Sequence, residues 1–274
     1  KLSFLPFDAL ITDTVFTVNL QQAKYFINQC NTLYGYSAAI LLKQLHNDRS
    51  AGNSTTVFAP VFSNGENHQQ PLQYSLQEAK AIAANKNTTS FIKEKATLAN
   101  FRQQFNNPGI LHVATHAYAD TGANSNPKIE FIDSSLLLNE LYAMHTNASL
   151  VVLSACETGL GKLNNSEGPM SLARGFYYAG AKNVITSLWE VNDKSTGQLF
   201  NIFYKEKYYE QYAAGLQKAK LVYLENAGVE NASPYYWASF IPIGYQVKPT
   251  ATYSYWWLLV LFPIAVFFYF YKRR

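Results

Sequence analysis

Four short runs of apolar residues in this chain are continuous rather than alternating: Thr56 to Phe62, Ile110 to Thr115, Ser149 to Ser154 and Asn183 to Trp189. A strand with one face in water alternates apolar and polar residues, so a run that does not alternate must be covered on both faces. Between and around these runs lie stretches of helical periodicity, over 76–86, 91–105, 138–145, 168–180, 195–210 and 213–226. Buried strands interleaved with helices predict an α/β fold, with a mostly parallel sheet between two helical layers. Trp237 to Ile243 is a further candidate strand. Gly180 stands just past a helical stretch, where a left-handed cap would end it. The polar segments Ser63 to Pro71 and Lys162 to Gly168 read as loops.

The C-terminus has a different character. From Pro249 to Tyr271 there is no charged side chain, and a helix over that stretch would be about 34 Å long, enough to cross a hydrocarbon core of about 30 Å. Tyr253, Tyr255, Trp256 and Trp257 at one end and Tyr269 and Tyr271 at the other suit two membrane interfaces, and Pro263 is tolerated within a span. The expected organisation is therefore one α/β domain over 1–247 and a single-pass anchor over 248–274, with membrane contact through 249–271. Lys272, Arg273 and Arg274 lie just beyond the span, against Lys248 alone on the other side. That asymmetry places the tail in the cytoplasm and the domain on the non-cytoplasmic side. A tail anchor carrying a cytoplasmic domain is the alternative topology. The chain opens on Lys1 without a Met, as a piece of a longer protein would.

Composition excludes several classes. Hydrophobic residues make up 48% of the 274, enough for a packed core, which rules out a disordered chain. A net charge of +4 without a basic block in the globular part gives no footprint for nucleic acid. Cys30 and Cys156 are the only cysteines; they cannot make a disulfide framework and lack the spacing of a zinc site. Thr158 to Lys162 looks like half a phosphate loop, but Leu163 stands where a Ser or Thr is needed. No cofactor or metal is expected.

Ligands of an open parallel sheet bind at the carboxyl ends of its strands. One predicted strand ends Ala114-Thr115-His116-Ala117 and another ends Leu153-Ser154-Ala155-Cys156. An imidazole beside a thiol is the smallest nucleophile-and-base pair for acyl transfer. His112 lies about 13 Å back along its strand at about 3.3 Å per residue, so of the two only His116 reaches the edge. The backbone amides of Ala117 and Cys156 are candidate oxyanion donors. Position alone leaves a second reading open, in which Cys156 is a small buried hydrophobe and His116 a hydrogen-bonded structural residue.

Longer blocks carry a resemblance. Ile110-Leu-His-Val-Ala-Thr-His-Ala117, Leu150-Val-Val-Leu-Ser-Ala-Cys-Glu-Thr-Gly-Leu-Gly161, Glu167-Gly-Pro-Met-Ser-Leu-Ala-Arg-Gly-Phe176 and Ala179-Gly-Ala-Lys-Asn-Val-Ile-Thr-Ser-Leu-Trp-Glu-Val-Asn-Asp193 resemble the CHAT family. These are bacterial, caspase-like domains related to separase and often placed after tetratricopeptide repeats. The opening Leu2 to Leu10 and the closing Pro234 to Gly244 also fit, so the resemblance covers nearly all of 1–245. The first strand it implies is partly cut off by the start of the chain, and Ser166 departs from the glycine common in the family.

The resemblance implies a caspase-like three-layer α/β/α sandwich and a cysteine endopeptidase with His116 as general base and Cys156 as nucleophile. It also implies that Asp193 meets a basic P1 side chain in an S1 pocket, through a charge-assisted pair with Arg or Lys. Asp193 as the N-cap of the helix starting near Lys194 stands beside that reading. The expected partners are a protein substrate, upstream tetratricopeptide repeats that control the domain, and a membrane. The alternative function is a catalytically silent caspase-like scaffold for protein–protein interaction at the membrane.

Overall fold

The computed structural model describes residues 5–13, 19–38, 42, 54–62, 71–118, 126–154, 163–164, 168–169 and 172–245. The predicted membrane span lies outside them. Among the described residues no helix is long and apolar enough to cross a membrane.

The strands are β1 (Thr55–Ala59), β2 (Thr88–Ile92), β3 (Ile110–Val113), β4 (Ala117–Tyr118), β5 (Lys128–Glu130), β6 (Ser135–Leu137), β7 (Leu150–Leu153), β8 (Leu163–Asn164), β9 (Gly168–Pro169), β10 (Val184–Ser187) and β11 (Phe240–Ile243). The α-helices are α1 (Gln73–Ala83), α2 (Leu98–Gln104), α3 (Leu138–Tyr142), α4 (Leu172–Tyr178), α5 (Asp193–Lys205), α6 (Tyr212–Asn226) and α7 (Pro234–Trp237). Six strands form the main sheet in the order β11-β10-β7-β3-β1-β2. All neighbours in it are parallel except β10 and β11. The chain reverses its progress across the sheet at β1, with β2 laid on one side and β3, β7 and β10 on the other. The carboxyl ends of β1 and β3 thus flank a topological switch point, the place where open α/β sheets bind ligands.

Successive residues of the central strands point to opposite faces, and each face has its own core. Phe58, Leu111, Val113, Val151, Leu153 and Val184 pack with α2, α3 and α4; Val57, Ala59, Ile110, Val152 and Ile185 pack with α1, α5 and α6. Phe58 anchors the first core, its ring stacked on Phe91 at 4.8 Å and edge-on to Phe101 at 5.3 Å. Burying such a side chain contributes about 1.5–3 kcal/mol.

Three expectations are revised. The helical stretch over 91–105 is two elements: an edge strand, β2, and the shorter α2, capped by Thr97. The strand expected from Trp237 begins only at Phe240, because Ser233 and Pro234 start the short α7 instead, an N-cap followed by proline at the first helical position. Within the predicted loop Lys162 to Gly168, Leu163–Asn164 pairs antiparallel with Gly168–Pro169. Gly180 ends α4 as expected, at φ +113°. The N–H of Gly180 reaches the carbonyl of Tyr177 and that of Ala181 the carbonyl of Phe176, the two bonds of a Schellman turn.

The amino-terminal segment is fastened by a buried ion pair. Lys220, fully buried on α6, donates to Asp8 at 2.6 Å and to the carbonyl of Phe240 at 2.5 Å, and Asp8 also accepts the Thr32 hydroxyl.

Candidate active site

The path from β3 into β4 is pinned on both sides. Ala114 extends the β3 ladder by donating to Phe58, and Ser154 does the same for β7 by donating to Val113 at 2.9 Å. The Thr115 hydroxyl donates to the carbonyl of Glu130 at 2.7 Å, and the N–H of Glu130 donates to the carbonyl of His116 at 2.9 Å. His116 is thereby fixed where the main sheet meets the small β4–β5–β6 sheet. Its ring lies 5.4 Å from that of Phe62 and is stacked at 6.4 Å from that of Tyr118.

Phe62 reaches His116 after two consecutive residues beyond β1 turn to positive φ, Val61 at 70° and Phe62 at 33°. A β-branched residue in that region is strained, and such strain concentrates at functional sites. The N–H of Leu72 donates to the carbonyl of Val61.

β3 and β7 are adjacent and parallel, with Val113 opposite Leu153. His116 and Cys156 lie the same number of residues beyond that pair. Cys156 itself is outside the described residues, two positions beyond Ser154 in the sequence. Ala117 occupies a position opposite Ile129 between bonded pairs of the antiparallel ladder, so its N–H is directed away from β5.

The small sheet presents Tyr118, Lys128 and Glu130 on the same face as His116, by the two-residue period of β4 and β5. Glu130 is buried; Lys128 contacts it at 2.6 Å and the Ser135 hydroxyl donates to it at 2.6 Å. The Lys128 ammonium lies 5.4 Å from the centre of the half-exposed Tyr118 ring.

Behind the site is a polar cluster that sequence reasoning missed. Glu78 on α1 accepts the Ser154 hydroxyl at 3.0 Å with one oxygen and meets His112 Nε2 at 2.8 Å with the other, a close polar contact whose angle departs from that of a hydrogen bond. His112 Nδ1 lies 3.0 Å from the Tyr204 hydroxyl on α5. Both Glu78 and His112 are fully shielded from solvent. Burial raises the Glu78 carboxyl above its ordinary value, His112 and Ser154 oppose the rise and the nearby charge of Asp193 adds to it. Burial likewise pushes the Tyr204 hydroxyl well up. His112 is thus a structural member of this cluster, set back from the edge that His116 occupies.

Asp193 is the first residue of α5, whose N-cap is its neighbour Asn192, accepting the N–H of Ser195 at 3.1 Å. The Asp193 carboxylate serves α1 instead, accepting the N–H of Tyr74 at 2.8 Å, the N–H of Ser75 at 3.1 Å and the Ser75 hydroxyl at 2.9 Å. The expectation that Asp193 caps the helix starting near Lys194 is not met: Asn192 holds that place, and Asp193 caps α1. An ionised carboxylate has about four acceptor sites, so three bonds leave one for any further partner.

The CHAT domain profile matches residues 1–245, nearly the whole of the chain before the charge-free C-terminal run. The chain belongs to the CHAT domain family. Curated proteins give no match to it. Among solved structures, this CHAT domain is similar to separase in the Saccharomyces cerevisiae separase–securin complex, with a TM-score of 0.51 and 13% identity, over 77% of this chain and 13% of that one. It is similar to RgpB in the complex of the Porphyromonas gingivalis pro- and mature domains, with a TM-score of 0.52 and 12% identity, over 75% of this chain and 51% of that one. The Arg-specific cysteine proteinase gingipain R matches with a TM-score of 0.51 at 11% identity. The CHAT domain therefore shares the caspase-like fold of cysteine peptidases, and it spans only 13% of the separase chain and about half of the gingipain chain.

Proposed function

We propose that this CHAT domain is a cysteine endopeptidase acting on protein substrates, with His116 as general base and Cys156 as nucleophile. The observation that carries the reading is the Val113–Leu153 register, which sends two neighbouring parallel strands toward one edge, one leading to His116 and the other to Cys156. In this mechanism the His116 imidazole takes the thiol proton and the thiolate attacks the scissile carbonyl. The oxyanion is stabilised by the backbone N–H groups of Ala117 and Cys156. Collapse breaks the C–N bond as His116 returns the proton to the leaving amine, and His116 then activates water to hydrolyse the thioester.

A basic P1 residue belongs to the proposal, with the remaining acceptor site of Asp193 as its counter-charge. A neighbour of the same fold, gingipain R, is Arg-specific, which supports this choice. The charge-free run from Pro249 to Tyr271 supports a membrane anchor, with Lys272 to Arg274 as the cytoplasmic flank. Control by upstream tetratricopeptide repeats completes the reading.

The test is digestion of a peptide library by the chain, with new amino termini read by mass spectrometry. Cleavage after Arg or Lys, abolished by Cys156→Ala and by His116→Ala, is the expected result. No cleavage by wild type, including the chain joined to its upstream repeats, would favour a scaffold.

A further inference from the structure

The mechanism above uses none of Glu78, His112, Ser154 and Tyr204, yet they form a buried polar cluster. Four elements meet there: α1 supplies Glu78, β3 His112, the end of β7 Ser154 and α5 Tyr204. A carboxylate shielded completely from water is expensive to retain unless its partners are fixed. Stability alone gives little reason to keep it, since replacing buried charged pairs by apolar residues of similar volume is often neutral or stabilising. The arrangement is also not symmetric about the sheet. Glu78 spans from the strand that leads to His116 to the strand that leads to Cys156, holding His112 with one oxygen and Ser154 with the other.

Ser154 is the last described residue before Cys156, and it is tied twice. Its N–H is bound to the carbonyl of Val113 and its hydroxyl to Glu78. The backbone bond sets its position along β3, and the side-chain bond sets the rotation of the chain about that strand. Together they fix Ser154 at the carboxyl end of β7.

We propose that Glu78 and Ser154 are positioning residues for the nucleophile: the carboxylate, bridged to β3 through His112, holds Ser154, two residues before Cys156, at the carboxyl end of β7. This inference rests on Cys156 and His116 forming the reactive pair. Loss of the Ser154 side-chain bond loosens this end of β7 while the ladder and the apolar core remain. A displacement of about 1 Å costs up to about a hundredfold in rate where two groups must meet, so the effect falls on thiol activation.

The test is alkylation of the chain by iodoacetamide across a pH series, with both cysteines followed by mass spectrometry. Exposed Cys30 is the internal reference. Ser154→Ala removes one hydroxyl. Glu78→Gln keeps one acceptor and replaces the other with an amide donor, so the contact to Ser154 or to His112 must change polarity or weaken. Each variant is expected to slow Cys156 about tenfold or more near neutral pH and to move its pH profile toward that of an ordinary thiol, with Cys30 unchanged. The double variant is expected to be no slower than the worse single one, as for two members of one linkage. Ser154→Thr, which keeps the hydroxyl, is expected to retain the wild-type profile.

Wild-type behaviour of Cys156 in Ser154→Ala, while His116→Ala still slows it, overturns the inference and leaves the dyad standing. Fully additive slowing in the double variant also overturns it, since the two groups then act separately. A Cys156 rate indifferent to His116→Ala removes the dyad, and the inference with it. A variant that unfolds shows both cysteines reacting alike, and the comparison of Ser154→Thr with wild type then decides: loss of the profile despite the retained hydroxyl counts against the proposal.

Discussion

The carboxylate of Asp193 accepts the backbone N–H of Tyr74 at 2.8 Å, joining residues 119 apart in the chain. With the N–H and hydroxyl of Ser75 also bound, Asp193 gives α1 the cap that Leu72, its own N-cap residue, has no side chain to provide. The same helix carries Glu78, which holds Ser154. α1 thus links the residue proposed for S1 to the segment that leads to the nucleophile. The close approach of α1 and α5 depends on Gly197, where a Cβ would stand 3.1 Å from the carbonyl of Tyr74.

Asp193→Ala is therefore expected to destabilise the fold by about 0.5–2 kcal/mol, the usual cost of losing a cap, whatever its part in specificity. Urea unfolding measures this, and an unchanged midpoint would remove the capping account. Asp193→Asn keeps an acceptor but loses the charge, so it is the better probe of S1. A large loss of preference for basic P1 with only a small loss of stability is the outcome expected of a specificity residue.

Glu78 gives a pH dependence with a definite sign. Burial raises its carboxyl above the ordinary 4.5, so the folded protein binds the proton more tightly than the unfolded chain. Its contribution to stability is fully present below about 4.5 and is lost as the pH rises through the folded value. Glu78→Gln lacks this titration. From pH 4.5 upward the stability difference between variant and wild type is expected to shift in the variant's favour. A difference that stays flat, or moves the other way, contradicts the assignment.

Lys220→Met leaves Asp8 buried without its ammonium partner. A broken buried pair costs about 3–5 kcal/mol, a large share of the stability of a domain. Lys220→Met combined with Asp8→Leu is expected to recover much of that loss. Thermal unfolding of the single and double variants checks both statements, and a mild single variant would show that the pair is not tightly coupled.

Gly180→Ala meets two obstacles at once: φ is +113°, and the new Cβ would lie 2.5 Å from the carbonyl oxygen of Thr146. Backbone strain of that kind costs about 1–3 kcal/mol before the clash is counted. A melting temperature within error of wild type would show that the turn after α4 is more pliable than its geometry implies.

The central strands were legible because burial on both faces removes the polar half of the usual alternation. β2 was not. It lies at the sheet edge, its residues are only partly buried, and Phe91 and Ile92 merge with the apolar spacing of the helix that follows. β4, β5 and β6 are two or three residues long, too short for any period to register. The start of α7 did carry a signal, Ser233 before Pro234, which the apolar run from Trp237 outweighed.

The site divides in the same way. His116 was readable from its place at a strand end, since strand direction and sheet edge follow from local pattern. Ser154 and Glu78 are 76 residues apart, and His112 and Tyr204 are 92 apart, so their cluster exists only once four elements have packed. Phe62 reaches His116 through two positive-φ residues that no turn signature announced. Asp193 was recognised as a capping residue by type, but which helix it caps is decided by the contact of α1 with α5.

The most direct test of the peptidase account is covalent capture. The chain is treated with acylating probes that carry Arg, Lys, Asp, Asn or Leu at P1, and adducts are mapped by mass spectrometry in wild type and in His116→Ala. The account predicts an adduct on Cys156 with the Arg or Lys probe, absent from exposed Cys30 and lost in His116→Ala. Labelling of Cys156 no faster than Cys30, with every probe and regardless of His116, would contradict it.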